Sequence, residues 1–75
     1  MSTYEIELPE IRYDHDTYDG PTVTIDIDEA PFPGTVFVET DGRLAVTGVP
    51  IPFRSDQDAL NYAAALIAMV NERRN

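Results

Sequence analysis

Three aspartates and the chain's one histidine fall within residues 13–20, which read Tyr-Asp-His-Asp-Thr-Tyr-Asp-Gly. Clustered carboxylates beside a glycine are the raw material of a calcium loop, because calcium takes several oxygen ligands from a sharply turning chain. Asp14, Asp16 and Asp19 are the candidate ligands. The spacing departs from an EF-hand loop by one residue between the second and third acids. Asp26 falls where an expanded loop would place its last ligand, but in a stretch that reads as a strand. The same residue types also make an acidic connection between strands, with Asp19-Gly20-Pro21 as the turn.

His15 between two aspartates raises acid–base catalysis. That chemistry also needs a nucleophile, or a cleft and an oriented partner. The chain has two serines: Ser2 is at the terminus, and Ser55 is better placed as a helix cap. Cysteine is absent, which removes thiol catalysis, zinc fingers and iron–sulfur ligation. No nucleophile elbow, phosphate loop or glycine-rich dinucleotide turn occurs. The expectation is therefore a protein that is not an enzyme and carries no cofactor, calcium being the one metal with any candidate ligands.

Charge is the strongest compositional signal. Fourteen acids oppose five basic residues, for a formal net charge of −9. Residues 1–41 hold eleven of the acids and one arginine; residues 42–75 hold three acids and four arginines. A field of this sign repels nucleic acid and anionic membrane and attracts a basic protein surface. All five basic residues are arginine, which with the alanine-rich helix suits a high-GC genome such as an actinobacterium or its phage. No basic and apolar leader is visible, and the longest apolar run, Ala63 to Val70, is too short to span a bilayer. The expected location is the cytoplasm, that of the host if the gene belongs to a phage.

Seventy-five residues suffice for one domain with a modest core. Residues 4–8 alternate Tyr-Glu-Ile-Glu-Leu as a half-buried strand does, up to Pro9, and residues 10–13 extend it after a bulge. The clearest strand runs from Thr22 to Asp28. Its Val23, Ile25 and Ile27 face inward, with Thr22, Thr24, Asp26 and Asp28 outward. Residues 29–34, with two prolines and a glycine, break the pattern.

Residues 35–48 predict a hairpin. Asp41-Gly42 as a two-residue turn sets Phe37 opposite Val46 and Val38 opposite Ala45. With Phe37, Leu44 and Val46 directed at a helix, Val36, Val38 and Ala45 lie on the outer face. A proline-paced link leads to a helix from about Asp56 to about Arg73. Ser55 is its N-cap, Asp58 stands three residues on, and arginines occupy its end. Ala59, Tyr62, Ala63, Leu66, Met69 and Val70 form the expected sheet-facing stripe. The expected fold is α+β: an antiparallel meander of three to four strands followed by one C-terminal helix packed on one sheet face.

Two surfaces follow. Glu5, Glu7, Asp26 and Asp28 should lie on the outer face of the sheet beside Val36 and Val38, so that charge steers a basic partner and apolar contacts hold it. In size and charge alone the chain resembles small acidic phage inhibitors, including anti-restriction and anti-CRISPR proteins, some of which imitate DNA. On the other side of the helix, Ala64, Ala65 and Ala68 form a small-residue patch that a second helix could approach closely, giving a homodimer or an assembly protein. Residues 30–34 (Ala-Pro-Phe-Pro-Gly) and the helix from Asp58 to Val70 resemble parts of HicB-type antitoxins. A whole hairpin separates them here, so the chain is not assigned to that family.

Overall fold

The computed structural model describes residues 7–13 and 20–74. Among these, four strands precede one helix: β1 (Arg12–Tyr13), β2 (Pro21–Ile25), β3 (Gly34–Val38), β4 (Leu44–Thr47) and α1 (Asp56–Arg74). The strands form one antiparallel sheet in chain order, and α1 lies across β2 and β3. This is the expected α+β meander with its C-terminal helix. Residues 7–10 do not form a strand, and β1 is the short piece at Arg12–Tyr13, paired through Arg12 with Thr22.

The helix-facing side of β2 follows its alternation. Val23 and Ile25 are fully buried, and Ile27 stays buried beyond the strand end. They meet Val36 of β3 and Ala65, Ala68 and Met69 of α1 in one core, ringed by half-buried Val38, Leu44, Val46, Val49 and Leu66. Each fully buried large aliphatic side chain contributes about 1.5–3 kcal/mol, so these few residues hold most of the molecule together.

The hairpin differs from expectation by one residue of register. Val36 pairs with Val46, Phe37 with Ala45 and Val38 with Leu44. The loop has three residues, not two. The Gly42 amide donates to the Glu39 carbonyl (2.9 Å), the Glu39 amide donates to the Arg43 carbonyl (2.8 Å), and Gly42 has φ +87°. This is a tight turn closed by a left-handed glycine, the usual three-residue solution. Asp41 locks it by accepting bonds from the Arg43 amide and guanidinium.

A one-residue slip exchanges the two faces of a strand. Val36 and Val38, expected on the outer surface, therefore face the helix, and Val36 is 0% exposed. The opposite face carries Phe37 and Ala45, with Thr24, Thr35 and Thr47 aligned across three strands. Among the described residues the strands put no acid on that face, and Arg12 of β1, paired with Thr22, adds a positive charge to it.

The helix is rotated relative to expectation as well. Ser55 caps it, its Oγ accepting from the Asp58 amide at 3.1 Å, a bond worth about 1 kcal/mol. The buried helical residues are Asp58, Ala64, Ala65, Ala68 and Met69. The alanines expected to face outward are thus spent on the chain's own interior. Small side chains let the helix lie close to the β-branched surface of β2 and β3, and larger Leu60, Ile67 and Val70 take the flanks and the outer side. Arg73 Nη2 donates to the Gly42 carbonyl (2.7 Å) and Tyr13 donates its hydroxyl to Glu72, so the last turn of α1 is tied to both sides of the sheet.

Candidate functional site

Where β2 ends, its partner strand has only begun, because Ile25 pairs with Gly34, the first residue of β3. The chain beyond Ile25 has no strand partner and must bond elsewhere. It turns at once, the Ala30 amide donating to the Ile27 carbonyl (3.3 Å), with Glu29 at φ 60°. Pro31 and Pro33 have no amide hydrogen to offer and keep the return segment away from further pairing.

The start of α1 satisfies this segment. Asn61 Nδ2 donates to the Asp26 carbonyl at 3.0 Å, and Gln57 Nε2 donates to Asn61 Oδ1 at 2.9 Å, holding that amide in position. The Asp28 amide donates to Asp58 Oδ1 at 3.0 Å. Asp58 thereby joins two structures. Its own amide is capped by Ser55, while its carboxyl captures the loop instead of reaching back to the cap residue.

Between loop 26–33 and the first turns of α1 lies an open hollow of about 590 Å³. Its charged lining is wholly acidic: Asp26, Asp28, Glu29 and Asp58, with Pro31 and Pro33 as apolar walls. Asp58 is only 1% exposed, and its Oδ2 has no hydrogen-bond partner. A buried oxygen left so costs about 1–3 kcal/mol. Arg54 approaches Glu29 from outside, Nη2 to Oε2 3.6 Å, with the Glu29 side chain largely and the Arg54 side chain about half in water. Phe32, between the two wall prolines, is 79% exposed, and Ile51 is 71% exposed.

The expected docking residues are therefore divided. Asp26 and Asp28 are exposed, as expected, but they lie past the end of β2 at this hollow and not on a sheet face. Glu7 is exposed and belongs to no strand. Glu5 and the candidate calcium ligands Asp14, Asp16 and Asp19 lie outside the described residues. Val36 and Val38 are withdrawn to the core side. Ala64, Ala65 and Ala68 offer no free patch, since each is at most 5% exposed.

Sequence reasoning missed Glu29, Gln57 and Asn61, and took Asp58 for a cap residue only. A signal for Asp58 existed. It stands seven and eleven residues before Ala65 and Met69, on the same helical side, so a correct choice of buried face would have marked it as an interior acid. Among the described residues no group of three His, Cys, Asp or Glu side chains could hold a metal ion, and no helix is long and apolar enough to cross a membrane. The comparisons with known proteins add no relative: no protein-family model, no curated protein and no solved structure matches this chain.

Proposed function

We propose that this protein is a non-catalytic interaction module that docks on a basic protein surface through the acidic end of the molecule, where loop 26–33 meets the start of α1. The observation that supports this is the hollow whose charged lining is wholly acidic, set beside exposed Phe32. Charge at such a rim speeds encounter, and an aromatic side chain next to it supplies the apolar contact that slows release. A net charge of −9 on so small a chain suits an inhibitor of phage type, one that occupies a basic surface otherwise used for nucleic acid. The test is capture from nuclease-treated lysate by the wild-type chain and by Asp26→Asn/Asp28→Asn. A basic protein held by the wild type, released by salt and lost by the variant is expected. Equal capture by both, or no basic protein at all, would reject the acidic end as the docking surface.

A second reading is self-assembly, and a specific arrangement favours it. The flank of α1 carrying Ala59, Ala63, Leu66 and Val70 stands on the β4 side of the helix, the side from which Arg73 reaches Gly42. Among the described residues β4 is a terminal strand of the sheet, with one edge that none of them pairs with. Val70 is exposed there, while Leu44, Val46 and Leu66 are half-buried. Two copies joined edge to edge would bring their helices together along this flank. Sedimentation equilibrium decides it: a monomer mass at every workable concentration removes the dimer.

A further inference from the structure

We propose that the back of α1, the side turned away from the sheet, is a seam through which two copies of this chain pair with their helices antiparallel. This is independent of the basic-partner reading, and it places self-association on the back of the helix and not at the β4 edge.

Buried Asp58, Ala65 and Met69 fix the direction in which α1 meets the core. At about 100° per residue, Leu60, Ala63, Ile67 and Val70 come out roughly 140–160° round from Ala65, on the far side of the helix. None of the four belongs to the core cluster. Ile67 is 43% and Val70 42% exposed, and Leu60 and Ala63 are half-buried. A helix that packs on a single sheet carries polar residues on its back. Here the back is apolar for three turns, and its steps of three, four and three residues are the a/d repeat of a helix–helix seam.

The occupant follows from the symmetry of the stripe. Asp56 and Arg74 close it at either end, and its six positions are disposed evenly about position 65. An antiparallel second copy therefore sets Asp56 against the second copy's Arg74, Leu60 against its Val70 and Ala63 against its Ile67. Each of these contacts is complementary. Opposite charges meet at both ends, and branched Ile67 lies over small Ala63, which suits an interaxial distance of about 8–10 Å. The helix dipoles also oppose each other. A parallel pair would instead set Asp56 on Asp56 and Arg74 on Arg74. Charge favours this surface in a second way. Two copies of net charge −9 repel, but the stripe itself holds one acid and one arginine, so like charge is least concentrated there. From Asp56 to Arg74 the seam is about 27 Å long, a contact at the small end of specific interfaces, so the dimer should be reversible and of micromolar strength.

The experiment is sedimentation equilibrium of the full chain from micromolar to near-millimolar concentration. A monomer–dimer equilibrium is expected. Ile67→Glu alters an exposed position, so the fold should survive, as circular dichroism will show. It should weaken the dimer about tenfold or more, because it buries an unpaired carboxylate against the second copy's Ala63. Asp56→Arg and Arg74→Asp should each weaken the dimer a few-fold, the scale of exposed ion pairs, and the double reversal should restore it. That charge exchange also serves as the test should Ile67→Glu fail to fold. The chain has no cysteine of its own, so direction can be read by cross-linking. Asp56→Cys mixed with Arg74→Cys, oxidised with diamide, should give a disulfide-linked dimer, while either variant alone should not. A monomer at every concentration, a folded Ile67→Glu variant that dimerises as the wild type does, or a double reversal that restores nothing would each overturn the seam. A dimer indifferent to Ile67→Glu would belong to the β4 edge, in which Ile67 takes no part. None of these outcomes touches the acidic docking surface, whose test rests on Asp26 and Asp28.

Discussion

Tyr13 donates its hydroxyl to Glu72, a residue 59 positions away, and so joins the short first strand to the last turn of the helix. The bond holds the phenol above its ordinary value of 10.0, first through the hydrogen bond itself, then through lost hydration and the nearby negative charge. A phenol whose folded value lies above its unfolded value stabilises the fold while it stays protonated. That contribution is complete below the unfolded value and is lost as pH rises through the higher folded one. Glu72→Gln should lower the Tyr13 titration, followed by NMR of its ring, and the wild-type chain should lose stability relative to this variant only above about pH 10. An unmoved Tyr13 titration would mean the contact is not formed in solution. Gly34 is constrained differently. A Cβ there would stand 2.7 Å from Val49 Cγ2 and 3.2 Å from the Thr47 carbonyl. Gly34→Ala should therefore cost about 1–3 kcal/mol in chemical denaturation, the usual range for forced overpacking.

At the scale of elements, the hairpin and the helix each had two apolar sides to choose from. In the hairpin the choice rests on Gly42, which sets a three-residue loop through its left-handed φ of +87° and has nothing within 4 Å of an added Cβ. Gly42→Ala should accordingly cost only the conformational penalty, about 1–2 kcal/mol, without any clash. A loss well beyond that, measured by thermal unfolding, would show that the register itself had shifted. In the helix, Ala65 is 0% exposed against the sheet. Ala65→Leu should destabilise by about 1–3 kcal/mol, because the added volume has no space to enter. Unchanged stability would return the alanines to the outside of the molecule.

The order of the strands, the place of the hairpin and the capped helix were legible because their signals are local. Alternation spans a few residues, Ser55 acts on an amide three positions on, and proline and glycine act on their own dihedrals. Neither buried side was legible in that way. Val36 and Val38 alternate with Phe37, so both faces of β3 are apolar, and one extra loop residue decides between them. The helix is apolar nearly all round, so no single side stands out from its pattern. The hollow was half legible. Asp26 and Asp28 were marked by their acidity, while Asp58, Asn61 and Gln57 joined them only because the helix docks where β2 runs out of partner.

At the scale of the whole molecule, the net charge of −9 acts as a repulsive field that folding compresses. Salt screens it over about 8–10 Å near physiological strength. Raising sodium chloride from a few millimolar to about 0.15 M should therefore raise the melting temperature by a few degrees, and binding to a basic partner should weaken over the same range. A melting temperature that falls with salt would show that attractive pairs outweigh the repulsion. The sequence by itself determined this field, its concentration in residues 1–41, the absence of thiol and disulfide chemistry, and the strand–strand–strand–strand–helix order. Those properties are sums over residues or depend on near neighbours, so they survive without coordinates. The tertiary structure alone decided which valines and alanines are interior, moved the acids from a sheet face to the mouth of a hollow, and left Asp58 Oδ2 unpaired. Each of those depends on how two distant segments meet, and contacts across thirty residues are set by packing that no local pattern encodes.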